Sequence, residues 1–94
     1  MSDQQPTKVP PTLARILALL VNCLELALRQ ELGKARDVCR AAKIVADGMG
    51  IGPLHVFDEL DQMILSKPWR ELRVEFPRHV AQLKIIPRDQ KAHS

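Results

Sequence analysis

The feature that most constrains this chain is a stretch near the N-terminus that is apolar on more than one side when drawn as a helix. From residue 13 to residue 28 the sequence is rich in leucine, and its polar side chains are Arg15, Asn22 and Glu25. A helix that is apolar around most of its circumference has to be buried on most sides. At about 100° per residue, one face carries a stripe that suits a protein core: Leu13, Leu17, Leu20, Leu24 and Leu28.

A second apolar row lies beside that stripe, and we call it the second ridge. Two interpretations remain open. The helix could be central and wrapped by the rest of the chain, or the ridge could contact another copy or another protein, as in helix-in-groove and bundle interfaces. The later segments are short and divided by prolines, which favours the second interpretation. The second ridge therefore supplies candidate protein-binding residues: Ile16, Leu19, Cys23 and Leu26.

Prolines and glycines, which favour the ends of helices, predict where the first three helices begin and end. Pro10 and Pro11 precede the first helix, predicted over 12–32, and Gly33 is its expected stop. Small apolar residues at three- and four-residue spacing predict a second helix over 34–47. A glycine-rich loop over 48–53 and a third helix over 53–66 follow.

The C-terminal part of the chain gives a weaker pattern. Pro68 and Pro77 can each open a helix, predicted over 68–75 and 77–86. The alternation of apolar and charged residues over 72–76 makes a strand the competing prediction there.

The predicted fold class is all-α, a small helical domain with one long N-terminal helix and three or four shorter helices. We expect a disordered polar arm over 1–11, a single domain over 12–87 and a flexible tail over 88–94. A chain of 94 residues with 46% hydrophobic residues lies near the lower size limit for an independent core. Because such chains often complete their core by association, we expect a homodimer.

Charge alone does not indicate a nucleic-acid binder, since the formal net charge is only +3. Arg36, Arg40 and Lys43 form a basic row on the second helix that could contact phosphates or an acidic partner. The loop over 48–53 is longer than a helix-turn-helix turn of about three or four residues. The third helix is acidic, so binding of nucleic acid is not expected through it.

No arrangement of residues in the sequence suggests catalysis, a cofactor or a metal site. The three histidines, His55, His79 and His93, are isolated from one another and from Cys23 and Cys39. Thiols on apolar helical segments are expected to be inert and reduced, which suits the cytoplasm. The polar residues of the leucine-rich stretch argue against a membrane span.

A second candidate contact site follows the third helix. Trp69, Arg70 and Arg73 belong to residue types that are enriched among interface hot spots. A tryptophan at the edge of the core, covered by arginine stems, is the alternative interpretation.

The polar arm over 1–11, the leucine-rich helix over 13–32 and the short helices after it resemble the small all-helical antiactivators of LuxR-type quorum-sensing regulators in bacteria. This resemblance implies a dimeric protein that sequesters a transcription factor through apolar helical surface. The sequence thus predicts a non-catalytic protein-binding regulator. The alternatives are a small nucleic-acid-binding protein that uses the second helix and the C-terminal basic residues, and an adaptor subunit of a larger assembly.

Overall fold

The computed structural model describes residues 9–86, and in that range it confirms the all-α fold class. The helices are α1 (Pro11–Leu28), α2 (Leu32–Met49), α3 (His55–Ser66) and α4 (Trp69–Val80). Two short strands, β1 (Ile51–Gly52) and β2 (Lys84–Ile85), pair antiparallel. The tail predicted over 88–94, and all of the predicted arm except its last three residues, lie outside the described residues.

The first helix ends earlier than the glycine pattern predicts. Gln30 adopts a left-handed conformation with φ of 69°, and its N–H donates to the carbonyl of Ala27 at 3.0 Å. The N–H of Glu31 donates to the carbonyl of Leu26 at 2.9 Å, which completes a Schellman cap. The expected stop, Gly33, instead lies in the first turn of α2. As a result α1 and α2 both contain 18 residues.

The glycine-rich segment is shorter as a loop than predicted. The second helix continues through Gly48 to Met49 and ends at Gly50, whose φ is 73°. Glycine adopts this conformation without the steric cost of a Cβ. The carbonyl of Gly50 accepts a hydrogen bond of 2.7 Å from the N–H of Ile86, which joins the end of α2 to the C-terminal segment.

The fourth helix passes through Pro77 without a break, so the prediction of separate helices over 68–75 and 77–86 is wrong. Residues 72–76 are helical rather than extended. Pro77 is exposed, so the carbonyl that loses its hydrogen-bond partner is on the solvent side of the helix. Leu72 and Phe76 on the opposite side are buried and hold both halves against the core.

The core lies between the four helices. The first helix packs against α2 and α4, and α3 also packs against α2 and α4. Small side chains on α2 allow the two long helices to approach each other, because Ala35, Cys39, Ala42 and Ala46 form its buried stripe. Aromatic rings complete the core, with Phe57 from α3 and Phe76 from α4.

Among the described residues, α1 is the one helix that is long and apolar enough to cross a membrane by length and composition. Its buried stripe packs against α2 and α4 in this fold. The core helix of a soluble protein passes the same test.

Candidate protein-binding surface

The buried stripe of α1 differs from the predicted one. Ile16, Leu20, Cys23 and Ala27 are fully buried, and they lie between the predicted core stripe and the second ridge. The leucines of the predicted core stripe lie on one side of this buried stripe, and the leucines of the second ridge lie on the other side. Neither set of leucines faces directly away from the core. Of the predicted core stripe, only Leu20 is fully buried.

The buried side of α1 is thus rotated about the helix axis relative to the predicted one, and this rotation divides the second ridge. Ile16 and Cys23 belong to the core of the chain itself, so they cannot contact a partner in this conformation, and their assignment as binding residues is corrected. Leu19 and Leu26 are half-buried and pack against the core from its edge. The structure thus does not bring the four residues of the second ridge together as one exposed surface.

On the other edge of α1, a groove runs between α1 and α4, and we call it the apolar groove. Its volume is about 280 Å³. Val21 at its rim is 57% exposed, although it is a large hydrophobic residue. Every residue that lines the groove is apolar: Leu17, Leu20, Val21, Leu24, Phe76, Pro77, Val80 and Ala81.

Sequence reasoning missed this groove because it depends on two helices that are distant in the chain. The apolar pattern places Leu17 and Leu24 in the core stripe, and the prolines divide the residues of α4 between two predicted helices. Val21 does indicate exposed apolar surface in the sequence, because it is an apolar residue that lies outside the core stripe and next to the polar residue Asn22.

The Trp69 region lies along the same pair of helices. A smaller pocket joins Ala27 and Gln30 at the end of α1 to Trp69 and Leu72 at the start of α4. The apolar groove joins the middle of α1 to the end of α4, so the two helices run antiparallel. The basic cluster, defined as Trp69, Arg70 and Arg73, therefore lies toward one end of the apolar groove.

The structure brings the three predicted residues of the basic cluster together. Trp69 is 46% exposed. The guanidinium carbons of Arg70 and Arg73 lie 5.4 Å and 5.8 Å from the centroid of its ring. Both are within the range of cation–π attraction, so the indole and the two charges form one exposed unit.

The basic row of α2 is less available than the nucleic-acid alternative requires. Arg36 donates two hydrogen bonds to Asp61 on α3, at 3.0 Å and 3.2 Å, and these hydrogen bonds raise the pKa of its guanidinium. Lys43 donates to Asp58 at 2.8 Å. Two of the three cations thus hold α2 against α3, which leaves Arg40 as the remaining exposed charge of that row.

A cleft with a volume of about 450 Å³ lies between α2 and α3. Asp58 and Asp61 line it, but both carboxylates are occupied by the ion pairs with α2. They are not arranged as a free acid and base pair across a cleft.

The two cysteines are free and buried. Cys23 Sγ donates to the carbonyl oxygen of Ala35 at 3.1 Å, and Cys39 Sγ donates to that of Phe57 at 3.3 Å. Hydrogen bonding with the Cys39 thiol, followed by burial, raises the pKa of Cys23. A thiol with a raised pKa is a poor nucleophile, so this geometry gives Cys23 a packing role. The same hydrogen bond lowers the pKa of Cys39, and the burial of Cys39 is what keeps its thiol from reagents in solution.

His55 and His79 approach one carboxylate, that of Glu59. The distances are 3.4 Å from His79 Nε2 to Oε1 and 3.9 Å from His55 Nε2 to Oε2. His79 Nδ1 also lies 3.2 Å from the carbonyl oxygen of Glu75. In residues 9–86, no group of three or more histidine, cysteine or acidic side chains has a geometry that could hold a metal ion.

The described surface thus offers an apolar groove with a basic cluster toward one end, and two of the cations of α2 are engaged in ion pairs with α3. Comparison of the chain with protein-family models, with curated proteins and with solved structures finds no match.

Proposed function

We propose that this chain is a non-catalytic protein-binding regulator that docks an apolar helix of another protein in the apolar groove. The observation that carries the proposal is the groove itself, which has an entirely apolar lining and an exposed Val21 at its rim. Covering such a surface lowers the free energy of the system by about 25 cal/mol per Å² of apolar area removed from water. A complementary helix can supply that cover.

The dimensions suit a helix as the occupant. From Leu17 to Leu24, the α1 wall of the apolar groove spans about 10 Å at the standard helical rise, which corresponds to about two turns of a docked helix. An amphipathic helix places apolar side chains at three- and four-residue spacing, so one face can follow a groove of this length. The two walls are helices with buried anchors, Leu20 and Phe76, and therefore need little rearrangement.

The class of partner follows from the resemblance to antiactivators of LuxR-type regulators. A small helical chain that covers an apolar helix of a transcription regulator would keep that regulator from its own dimer partner. The buried, reduced thiols of Cys23 and Cys39 fit a cytoplasmic location for this role. We therefore propose a transcription regulator as the partner.

The test compares full-length variants in which one exposed apolar residue becomes charged. Val21→Asp places a carboxylate at the rim of the apolar groove, and burying an unpaired charge costs several kcal/mol in order of magnitude. Ile44→Asp is the matched control, because Ile44 is 73% exposed on α2 and does not line the groove.

In an affinity pull-down from the native cell, read by mass spectrometry, we expect wild type and Ile44→Asp to retain the same transcription regulator. Val21→Asp should lose it, with an unchanged circular dichroism spectrum. The purified partner should then bind wild type at least tenfold more tightly than Val21→Asp in calorimetry. Equal affinity for both variants would place the binding surface elsewhere on the chain.

Sedimentation equilibrium at about 100 μM separates this proposal from self-association. A homodimer that survives Val21→Asp leaves the apolar groove free for a partner. A homodimer that Val21→Asp dissociates would make a second copy the occupant and contradict the proposal.

A further inference from the structure

Charge is unevenly distributed around α4. Trp69, Arg73 and Pro77 recur every four residues and so lie on one side of the helix, the side that Pro77 places along the apolar groove. The acidic residues of α4 lie on another flank. Glu71 pairs with Lys67 at 3.6 Å. Glu75 lies four residues after Glu71 and therefore on the same flank of the helix.

The opposite wall of the groove does not neutralise the two arginines. The single carboxylate of α1 is Glu25, and in residues 9–86 no ion pair joins it to Arg70 or Arg73. The groove therefore combines an uncharged apolar floor with two guanidinium groups toward one end.

The cation–π contacts with Trp69 restrain both guanidinium groups near the helix surface. A restrained arginine loses less conformational entropy when it forms hydrogen bonds, and its planar fork matches a carboxylate. Complementarity of charge contributes mainly to specificity and to the rate of association. The basic cluster is thus suited to recognise carboxylates on a docked segment.

Resting on the proposed function, we infer that the groove selects an amphipathic helix that carries aspartate or glutamate at one end of its apolar stripe. The apolar part of that helix covers the groove, and its carboxylates contact Arg70 and Arg73. Because the basic cluster lies toward one end only, this contact also fixes the direction in which the helix lies along α1 and α4.

The chemistry of the surface favours an acidic protein segment over nucleic acid. A phosphate backbone would place charged groups along the whole contact, whereas the lining of the apolar groove has no side chain that could pair with them. An acidic amphipathic helix can instead cover the apolar lining with apolar side chains and pair its carboxylates with Arg70 and Arg73.

The experiment uses a displayed library of helical peptides with leucines fixed at three- and four-residue spacing and all other positions random. Selection on the full-length chain, with Val21→Asp for counter-selection, should enrich aspartate and glutamate at one end of the leucine stripe. A selected peptide should also shift the fluorescence of the protein to shorter wavelength, because Trp69 is the only tryptophan and half of its surface becomes covered.

Fluorescence anisotropy with the selected peptide then tests the two arginines directly. Arg70→Gln/Arg73→Gln should weaken binding about ten- to hundredfold. The control Arg40→Gln/Arg78→Gln removes the same charge from exposed positions that do not line the groove, and we expect less than a threefold change.

The outcomes separate the two proposals. Enrichment of groove-dependent peptides without acidic residues, or equal loss of affinity in both arginine pairs, overturns the acidic partner and leaves the groove function intact. If no peptide binds in a way that Val21→Asp abolishes, both proposals fail.

Discussion

At the scale of single residues, the buried cysteines illustrate how the chain satisfies polar atoms inside an apolar core. Each thiol donates to a backbone carbonyl of a neighbouring helix, Cys23 to α2 and Cys39 to α3. Within residues 9–86, every buried side-chain nitrogen and oxygen atom has a hydrogen-bond partner. A buried group that lost its partner would cost about 1–3 kcal/mol, so this satisfaction supports a single packed state.

We expect Cys23 and Cys39 to react with Ellman's reagent only when the protein unfolds. Both side chains are buried, and the raised pKa of Cys23 keeps its thiol protonated. Labelling in native buffer at pH 8 should be at least about a thousandfold slower than in guanidinium chloride, consistent with opening that follows global stability. Fast labelling of either thiol in native buffer would show that the α1–α2 contact is not closed in solution.

At the scale of elements, α1 and α2 are each followed by a residue in the left-handed conformation, but the residue type differs. The left-handed position after the helix is Gln30 for α1 and Gly50 for α2. A side chain in this conformation costs about 1–2 kcal/mol, whereas glycine adopts it readily. The end of α1 therefore carries backbone strain that the end of α2 avoids.

Substitutions at these two positions should change stability in opposite directions. We expect Gln30→Gly to raise the free energy of unfolding by about 1 kcal/mol and Gly50→Ala to lower it by a similar amount. Urea denaturation followed by circular dichroism measures both. Gly48→Ala is the control, because Gly48 is inside α2 and no atom lies within 4 Å of an added Cβ. It should stabilise by about 0.5–1 kcal/mol, and a stabilising Gly50→Ala would be inconsistent with the observed cap.

At the scale of the whole molecule, the positive charges of α2 and α4 make different kinds of contact. Arg36 and Lys43 join α2 to α3, and Arg70 and Arg73 stack on Trp69. A continuous basic face that could follow a phosphate backbone would need these groups on one side and unpaired. These four cations do not form such a face, which supports the proposal of a protein partner over the nucleic-acid alternative.

We expect no sequence-selective nanomolar binding of duplex DNA at physiological salt. An electrophoretic mobility assay with random duplexes should give at most the weak association typical of non-specific contacts, with dissociation constants of about 10⁻⁴–10⁻⁶ M. Removing the exposed charge of α2 in Arg40→Gln should leave binding of the partner protein unchanged. Binding of a duplex with a nanomolar dissociation constant that depends on its sequence would instead support the nucleic-acid alternative.

The sequence by itself determined the secondary structure class and much of the basic cluster. Periodic apolar residues specify a helix locally, so the existence of α1, α2 and α3 could be predicted from the chain alone. Arg73 follows Trp69 by four positions and Arg70 by three, and residues at these spacings meet on a helix without help from the rest of the fold. The contact of Arg70 with the adjacent Trp69 does not follow from spacing and is seen only in the structure.

Only the tertiary structure decided which side of α1 is buried and where the exposed apolar surface lies. The apolar sector of α1 is wide enough to tolerate rotation about the helix axis, and the small residues of α2 select the rotation that buries Ile16 and Cys23. Whether Pro77 breaks a helix also depends on burial of Leu72 and Phe76. The apolar groove has walls that are far apart in sequence, and no local pattern on either helix encodes their packing against each other.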